Sequence, residues 1–421
     1  MPLEPIGRDL RGNWGVALGQ PMLKKYVSIG APHSVFVLEG VSHVALTAVP
    51  EAGASLQEQA EQSLAAIRTA LAKNSPASSV VAQTVFLRDA CDERACGEVF
   101  AACYGAEVPV TTYVLQAPCN GAALAVEAWA VDRNAARIDR QRPHLVSVSY
   151  NNVTWVHCGG IVPETPACGV YGRSVNAFAR MRGLIEKGAG FDHTVRTWLY
   201  LGDIVGPEGE TQRYKELNRA RTDFYQRVPF GRSHRMKGLK YGMYPASTGI
   251  GMGDSDLAMA GLAMDTTRKD VFLLPLENPQ QTPAYQYHAR HSPQSPKFCR
   301  AMAVVFGDAV ITFVSGTASI VSSETKHIGD PARQTEQTID NIERLIAADN
   351  FAAHNLPGAG ATLGDMAAVR VYVKRPEDYA KCKAVCEKRL PDVPVVYVVA
   401  DVCRPELLVE LEGVAFSKIN R

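Results

Sequence analysis

A short stretch near the end of the chain gathers residue types that acid–base chemistry needs: Cys403-Arg404-Pro405-Glu406-Leu407-Leu408-Val409-Glu410-Leu411-Glu412-Gly413. Arg404-Pro405-Glu406 breaks the ladder, and Leu407 to Phe416 then alternates as a strand does. Side chains two apart share a face, so Leu408, Glu410 and Glu412 point one way while Leu407, Val409 and Leu411 point the other. A carboxylate in so apolar a strand is costly to bury unless it is paired or protonated. Lining an apolar cleft, it would keep its proton near neutral pH and could act as an acid. Taken alone, though, this strand reads as an edge strand with two solvated glutamates.

Composition limits what such an acid could act on. The 421 residues carry 44 basic and 43 acidic side chains, a net charge of +1. No bulk field recruits nucleic acid or an anionic membrane, so an anionic ligand must be held by local arginines. No stretch approaches the roughly 18 apolar residues of a membrane span. Met1-Pro2-Leu3-Glu4-Pro5 lacks the basic start of a signal peptide. Ten cysteines are scattered through expected strands and helices, which fits a reducing, cytoplasmic setting rather than a disulfide scaffold. Cys91/Cys96 and Cys382/Cys386 have no matching partner pair, and the ten histidines form no HExxH-like cluster, so no metal is expected. His288, His291 and His327 are expected on the surface.

The elements that must position the acid come in three copies. The first opens with the runs Ser34–Leu38 and His43–Thr47, followed by a helix bearing Leu56, Ala60, Leu64, Ile67 and Leu71 at helical spacing. A strand at Thr84–Leu87, a short helix around Phe100 and strands at Val110–Leu115 and Leu124–Val131 complete it. The second repeats this order from Leu145–Tyr150 and Val153–His157, with Asn151-Asn152 at the turn. The third runs from Ala301–Val305 and Ala309–Val314, through helices at Gln334–Ala347 and Asp378–Arg389, to the final strand. Each unit reads ββαβαββ, and its sheet with helices on one face leaves the other face bare. Three units packed sheet to sheet would bury those faces, giving an α+β pseudo-trimer within one chain. The expected division is an N-terminal extension (1–31), units at 32–140, 141–265 and 300–421, and a bridging loop (266–299). That loop is rich in Pro, Gln and aromatic residues and could be a linker or a cover over a cleft.

The copies can be compared with one another. Aligning the last strands on Ala128, Gly261 and Gly413 makes Ala125, Ala258 and Glu410 equivalent, and likewise Glu127, Ala260 and Glu412. Glu410 is the lone acid at its place, whereas Glu412 is echoed by Glu127. A requirement of the fold would recur, so Glu410 is the functional candidate.

The unit resembles the YjgF-like reactive-intermediate deaminase fold, whose separate chains assemble as trimers with ligand clefts between subunits. Ser315-Gly316-Thr317, a helix with Gln334 and Asn341, and the Leu408-Val409-Glu410-Leu411-Glu412-Gly413 strand carry that likeness. Three copies in one chain resemble the chorismatases. The motifs are Arg196-Thr197-Trp198-Leu199-Tyr200-Leu201, Arg213-Tyr214, Thr248-Gly249-Ile250-Gly251, Asn278-Pro279-Gln280-Gln281, Ser315 to Ser319 and Cys403 to Glu410, within residues 145–417. Where the family's bridging loop is expected to carry arginines, this chain has Gln280 and Gln294, and its first unit is fuller than usual.

What the resemblance implies is a lyase that converts chorismate to 3-hydroxybenzoate and pyruvate, with no cofactor and no metal. Glu410 matches the donor of a proton to the enolpyruvyl group. Gly316 and Cys403 match the glycine and cysteine of members that make 3-hydroxybenzoate, whereas members that hydrolyse chorismate to a diene acid have alanines at both. Mixed 3- and 4-hydroxybenzoate remains open. Arg196, Arg221 and Arg300 are candidates for the substrate carboxylates, and Tyr214, Thr248, Gly249 and Thr317 for orienting the ring. A monomer is expected, since fusion removes the need to trimerise. From another class, the chain could be a non-catalytic small-molecule-binding protein that kept the clefts. An imine deaminase is disfavoured, because no arginine stands near Val110, Ala246 or Val395, where that activity holds a carboxylate.

Overall fold

Turn chemistry starts each unit. Glu39-Gly40 and Asn151-Asn152 all have positive φ (51°, 85°, 46° and 58°), and so has Gly307 (57°). Two such residues in a row suit a tight hairpin whose twist matches its strands. The computed structural model of the chain describes residues 23–28, 30–141, 143–164, 169–232, 234–236, 243–254, 256–287 and 294–420. The extension expected over 1–31 falls mostly outside these residues, as do His288 and His291.

The first unit comprises β1 (Leu23–Tyr26), β2 (His33–Leu38), β3 (Val41–Ala48), α1 (Leu56–Asn74), β4 (Ser78–Leu87), α2 (Asp92–Tyr104), β5 (Val110–Leu115) and β6 (Leu124–Asp132). The second comprises β7 (Arg137–Gln141), β8 (Leu145–Tyr150), β9 (Val153–Ile161), α3 (Val170–Ile185), β10 (Thr194–Gly202), the small ribbon β11 (Pro207–Glu208) and β12 (Thr211–Gln212), α4 (Arg213–Tyr225), β13 (Ala246–Met252) and β14 (Leu257–Thr266). In the third are β15 (Val271–Leu276), β16 (Ala301–Phe306), β17 (Ala309–Ala318), the ribbon β18 (Ile320–Val321) and β19 (Glu324–Thr325), and α5 (Pro331–Ile346) with α6 (Ala348–Ala353). It ends with β20 (Met366–Val373), α7 (Tyr379–Arg389), β21 (Val395–Val399) and β22 (Val409–Lys418).

One strand order recurs in three sheets: β1-β2-β3-β6-β4-β5, β7-β8-β9-β14-β10-β13 and β15-β16-β17-β22-β20-β21. In each, the last two strands of that order run parallel, a crossover that the intervening helix makes feasible. Each sheet also has one strand more than the ββαβαββ reading. Arg137–Gln141, expected in unit one, pairs with β8, and Val271–Leu276, expected in the bridging loop, pairs with β16. Both are edge strands, where alternating charge (Arg137, Asp139) and a proline (Pro275) are tolerated, and those residues hid them.

The final strand corrects a second expectation. β22 is no edge: it lies between β17 and β20, and Glu410 and Glu412 are both buried.

Helices cover the outer faces. α5 begins at the N-cap Asp330, whose side chain accepts from Arg333 N, with Pro331 in the first turn. Its Ile339, Ile342 and Leu345 pack with Val369, Val371 and Leu411 of the third sheet. Each such fully buried side chain is worth about 1.5–3 kcal/mol. The inner faces of all three sheets share one core, in which Phe36 stacks on Phe416 at 4.5 Å and Trp155 meets Phe313 at 6.3 Å. The sheets meet cyclically, β5 against β9, β13 against β17 and β21 against β3.

Candidate active site

Glu410 is placed by register. It lies opposite Ala318 on β17 and Tyr372 on β20. β17 bulges between Val314 and Thr317, which sets Ser315-Gly316 beside it. A Cβ at residue 316 would run into Glu410 Oε1 and sit 3.0 Å from Glu410 Cδ and Thr248 Cγ2. Glycine there makes room for the carboxyl. The ladder also supports the comparison drawn from the sequence. Ala125 faces Phe86, Ala258 faces Tyr200 and Glu410 faces Tyr372, while Glu127, Ala260 and Glu412 face Thr84, Trp198 and Arg370.

Two residues apart, the two acids have opposite electrostatics. Burial raises the Glu410 pKa to about 8, the nearby Glu412 charge adds to the rise, and Arg300 and Arg196 oppose it. Glu410 is therefore a neutral acid at pH 7. Burial would raise Glu412 as well, but Arg370 and Arg196, with hydrogen bonds from Thr248 and Trp198, hold it below the usual carboxylate range. Arg196 Nη2 reaches Glu412 Oε2 at 2.8 Å, Trp198 Nε1 reaches Oε1 at 2.8 Å, Arg370 Nη1 lies 3.2 Å from Oε1, and the Thr248 hydroxyl donates to Oε2.

The other predicted residues gather around Glu410 with one exception. Tyr214 at the start of α4 lies over β13, since a Cβ on Gly249 would come within 2.9 Å of Tyr214 Cε2. Its hydroxyl pKa is pushed up by burial and by the neighbouring Cys403, while Arg221 opposes the rise and Glu410 adds to it. The Cys403 thiol is raised to about 12 by burial, with Glu410 adding and Arg404 and Arg300 opposing, so it is a neutral wall rather than a nucleophile. Thr248 Oγ1 accepts from Gly316 N at 2.9 Å and from Arg196 Nη2 at 2.6 Å. Thr317 is the exception: its hydroxyl is spent on Ser315 O at 2.9 Å.

The arginines divide into two kinds. Arg196 is neutralised by Glu412. Arg221 (1% exposed) bonds Ser247 Oγ at 3.3 Å and Asn218 Oδ1, and Arg300 (4% exposed) bonds Thr282 O at 3.2 Å and the Tyr287 hydroxyl at 2.6 Å. Neither makes a carboxylate ion pair among the described residues. Buried Arg196 Nη1, Arg221 Nε and Arg300 Nε each lack a hydrogen-bond partner there. Phe298 stands between the last two, 5.5 and 5.4 Å from their guanidinium carbons. The acids near Arg300, Glu277 and Glu410, are both raised to about 8 and so neutral at pH 7, and Arg221 has no carboxylate ion pair among the described residues, which leaves both charges open to an anion.

A family model described as "Chorismatase FkbO/Hyg5-like, N-terminal" matches residues 127–263. A 3-hydroxybenzoate synthase of Streptomyces hygroscopicus is 33% identical over 301 residues, 68% of this chain and 80% of that protein. The chain belongs to the chorismatase family. A chorismatase of Streptomyces rapamycinicus is 33% identical over 230 residues, 53% of this chain and 64% of the relative. A chorismatase crystal structure shares the fold with a TM-score of 0.62 at 21% identity, covering 89% of this chain and 98% of the other.

Three features of this family member escaped sequence reasoning. Arg370 is buried and bonds Glu127 Oε1 at 2.6 Å, Tyr200 at 2.8 Å and Tyr372 at 3.0 Å, so Glu127, Arg370, Glu412 and Arg196 form one network joining all three sheets. Glu277, beside Arg300, is buried, and burial raises it to about 8 despite the Arg300 charge and a hydrogen bond from the Arg300 backbone. A cavity of about 140 Å³ lies where the sheets converge, lined by His43, Trp129, Trp155, His157 and Phe313 and floored by Arg196, Arg370 and Glu412. Burial lowers His43 to about 3 and His157 to about 4, so both are neutral. Glu410, Cys403, Arg221 and Arg300 do not line it, and the candidate chemistry lies at the β13–β17 seam instead. No described helix is long and apolar enough to cross a membrane.

Proposed function

We propose that the chain cleaves chorismate to 3-hydroxybenzoate and pyruvate, with Glu410 as the proton donor. One observation carries the reading: a buried, neutral glutamate feels the charge of Arg300, Tyr214 feels both Glu410 and Arg221, and neither arginine makes a carboxylate ion pair among the described residues. A dicarboxylate whose enol ether must be protonated needs those two things together.

Arg221 and Arg300 hold carboxylate oxygens, and the spare Nη1 of Arg196 offers a third donor. Glu410 delivers its proton to the terminal methylene, which becomes the methyl of pyruvate, and the glutamate charge left behind faces Arg300 and Arg196. The ring keeps the ether oxygen as its 3-hydroxyl. The water that ring aromatisation expels balances the water that ether cleavage consumes, so the conversion is a net lyase reaction. Gly316 and Cys403 shape the wall beside Glu410 and favour the aromatic product, as the family resemblance implies.

The three sheets are read as a trimer fused into one chain, with the units at 32–140, 141–265 and 300–421 extended by their edge strands. A single chain then suffices for activity. Incubating the purified protein with chorismate and following pyruvate and aromatic product tests the reading. Pyruvate at the no-enzyme rate overturns it. A diene acid in place of 3-hydroxybenzoate keeps the cleavage and overturns the roles given to Gly316 and Cys403.

A further inference from the structure

Far along the chain from Glu410, three side chains converge that the chemistry above leaves unused. His193 closes the turn Phe191–His193 before β10, Asp265 stands near the end of β14, and His234 follows α4. One ligand atom from each lies within 4.8 Å of the other two. Both histidines are 8% exposed. His193 Nδ1 is 3.0 Å from Asp265 Oδ1, yet it has no aligned hydrogen-bond partner. Two polar atoms that close, with neither aimed at the other, are arranged as ligands of a common centre would be.

We propose that His193, His234 and Asp265 bind a divalent first-row transition cation, with zinc as the representative ion. Two imidazoles and one carboxylate are a donor set that such ions take, at bonds of about 2.0–2.2 Å. Tetrahedral bonds of that length separate ligand atoms by about 3.3 Å, so His193 and Asp265 already span the right distance. Rotation of an imidazole brings in the third ligand. His234 also hydrogen-bonds the Val271 backbone, which restrains the ring, and its charge couples to both His193 and Asp265. Its partner ring meets it edge to face, with centroids 4.9 Å apart.

The position suggests a structural clip. His234 O accepts from Leu273 N at 2.7 Å, so the segment after α4 is tied to β15 of the third sheet. His193 ends the turn that leads into β10, and Asp265 lies on β14, both of the second sheet. A shared ion would fasten the two sheets at this point, beyond the helix that carries Tyr214 and Arg221.

The test uses untagged full-length protein stripped with EDTA and titrated with zinc chloride, with calorimetry and elemental analysis as readouts. One equivalent of zinc is expected, with affinity reduced at least 10-fold in both His234→Ala and Asp265→Ala while pyruvate release from chorismate persists. No stoichiometric binding, or equal binding by both variants, overturns the proposal. Cobalt substitution of the wild-type protein is the check that does not depend on variant folding. Visible bands of a nitrogen- and oxygen-ligated ion support the site, and a thiolate charge-transfer band places the metal on cysteine and overturns it.

Discussion

The seam between the first and second sheets and the seam between the second and third are built alike, yet one of them carries the acid. In the first, Gly160 N donates to Thr112 Oγ1 at 3.0 Å; in the second, Gly316 N donates to Thr248 Oγ1 at 2.9 Å. Thr112 and Thr248 hold the same register place, opposite Thr84 and Trp198. β9 and β17 bulge at matching points against β14 and β22. The glycine–threonine contact is therefore scaffold. At the acid position the first seam has Ala258 and the second Glu410. On the proposed reading, chemistry enters through the side chain that breaks the repeat, Glu410, together with Arg221, Arg300 and Cys403.

The sharpest way to test this difference is Glu410→Gln. Loss of a positioned general acid lowers kcat by about 10²–10⁴-fold, read as pyruvate released per enzyme, with the thermal unfolding curve kept. Adding Ala258→Glu to that variant should restore nothing, because an acid in the other seam lacks the arginine pair. Recovery of turnover would make the two seams equivalent.

Glu412→Gln tests scaffold against chemistry from the other side. It leaves Arg196 and Arg370 buried without their shared carboxylate, although Arg370 keeps Glu127. Removing one partner of a buried pair costs about 3–5 kcal/mol, measurable by urea denaturation. Smaller effects are expected for the substrate-holding arginines. Arg300→Ala and Arg221→Ala each remove a charged hydrogen-bond donor worth about 1.5–3 kcal/mol, so KM for chorismate should rise about 10–100-fold. Unchanged KM in both would move the anion site elsewhere.

The sequence made Glu410 visible because its strand occurs three times and only one copy has an acid at that place. Arg221 and Arg300 were legible as candidates, but that neither makes a carboxylate ion pair among the described residues was not, since that depends on which residues the fold brings near. Arg196 was read as a substrate ligand. Its partner Glu412 lies 216 residues away, and no local pattern links them. Edge strands β1, β7 and β15 were hidden by charge and proline, which edges tolerate. His193, His234 and Asp265 share no spacing motif, because they converge from a turn, a loop and a strand end.

The smallest predicted effect is the most discriminating, since it separates the two glutamates of one strand by the sign of a pH dependence. Glu410 has a folded pKa raised from 4.5 to about 8. The native protein therefore keeps a proton that the unfolded chain releases between those values, and this stability contribution is complete below pH 4.5 and lost as pH rises toward 8. Glu412 has a lowered pKa, so its contribution is present above 4.5 and lost as pH falls below it. Urea midpoints of wild type and Glu410→Gln, compared from pH 5 to 8.5, should diverge with rising pH in favour of the variant. Over the same range kcat of the wild type should fall on a single-proton limb near pH 8, because the deprotonated form has no proton to give. A stability difference that stays flat from pH 5 to 8.5 would mean that Glu410 is ionised in the fold, and an ionised Glu410 could not be the acid.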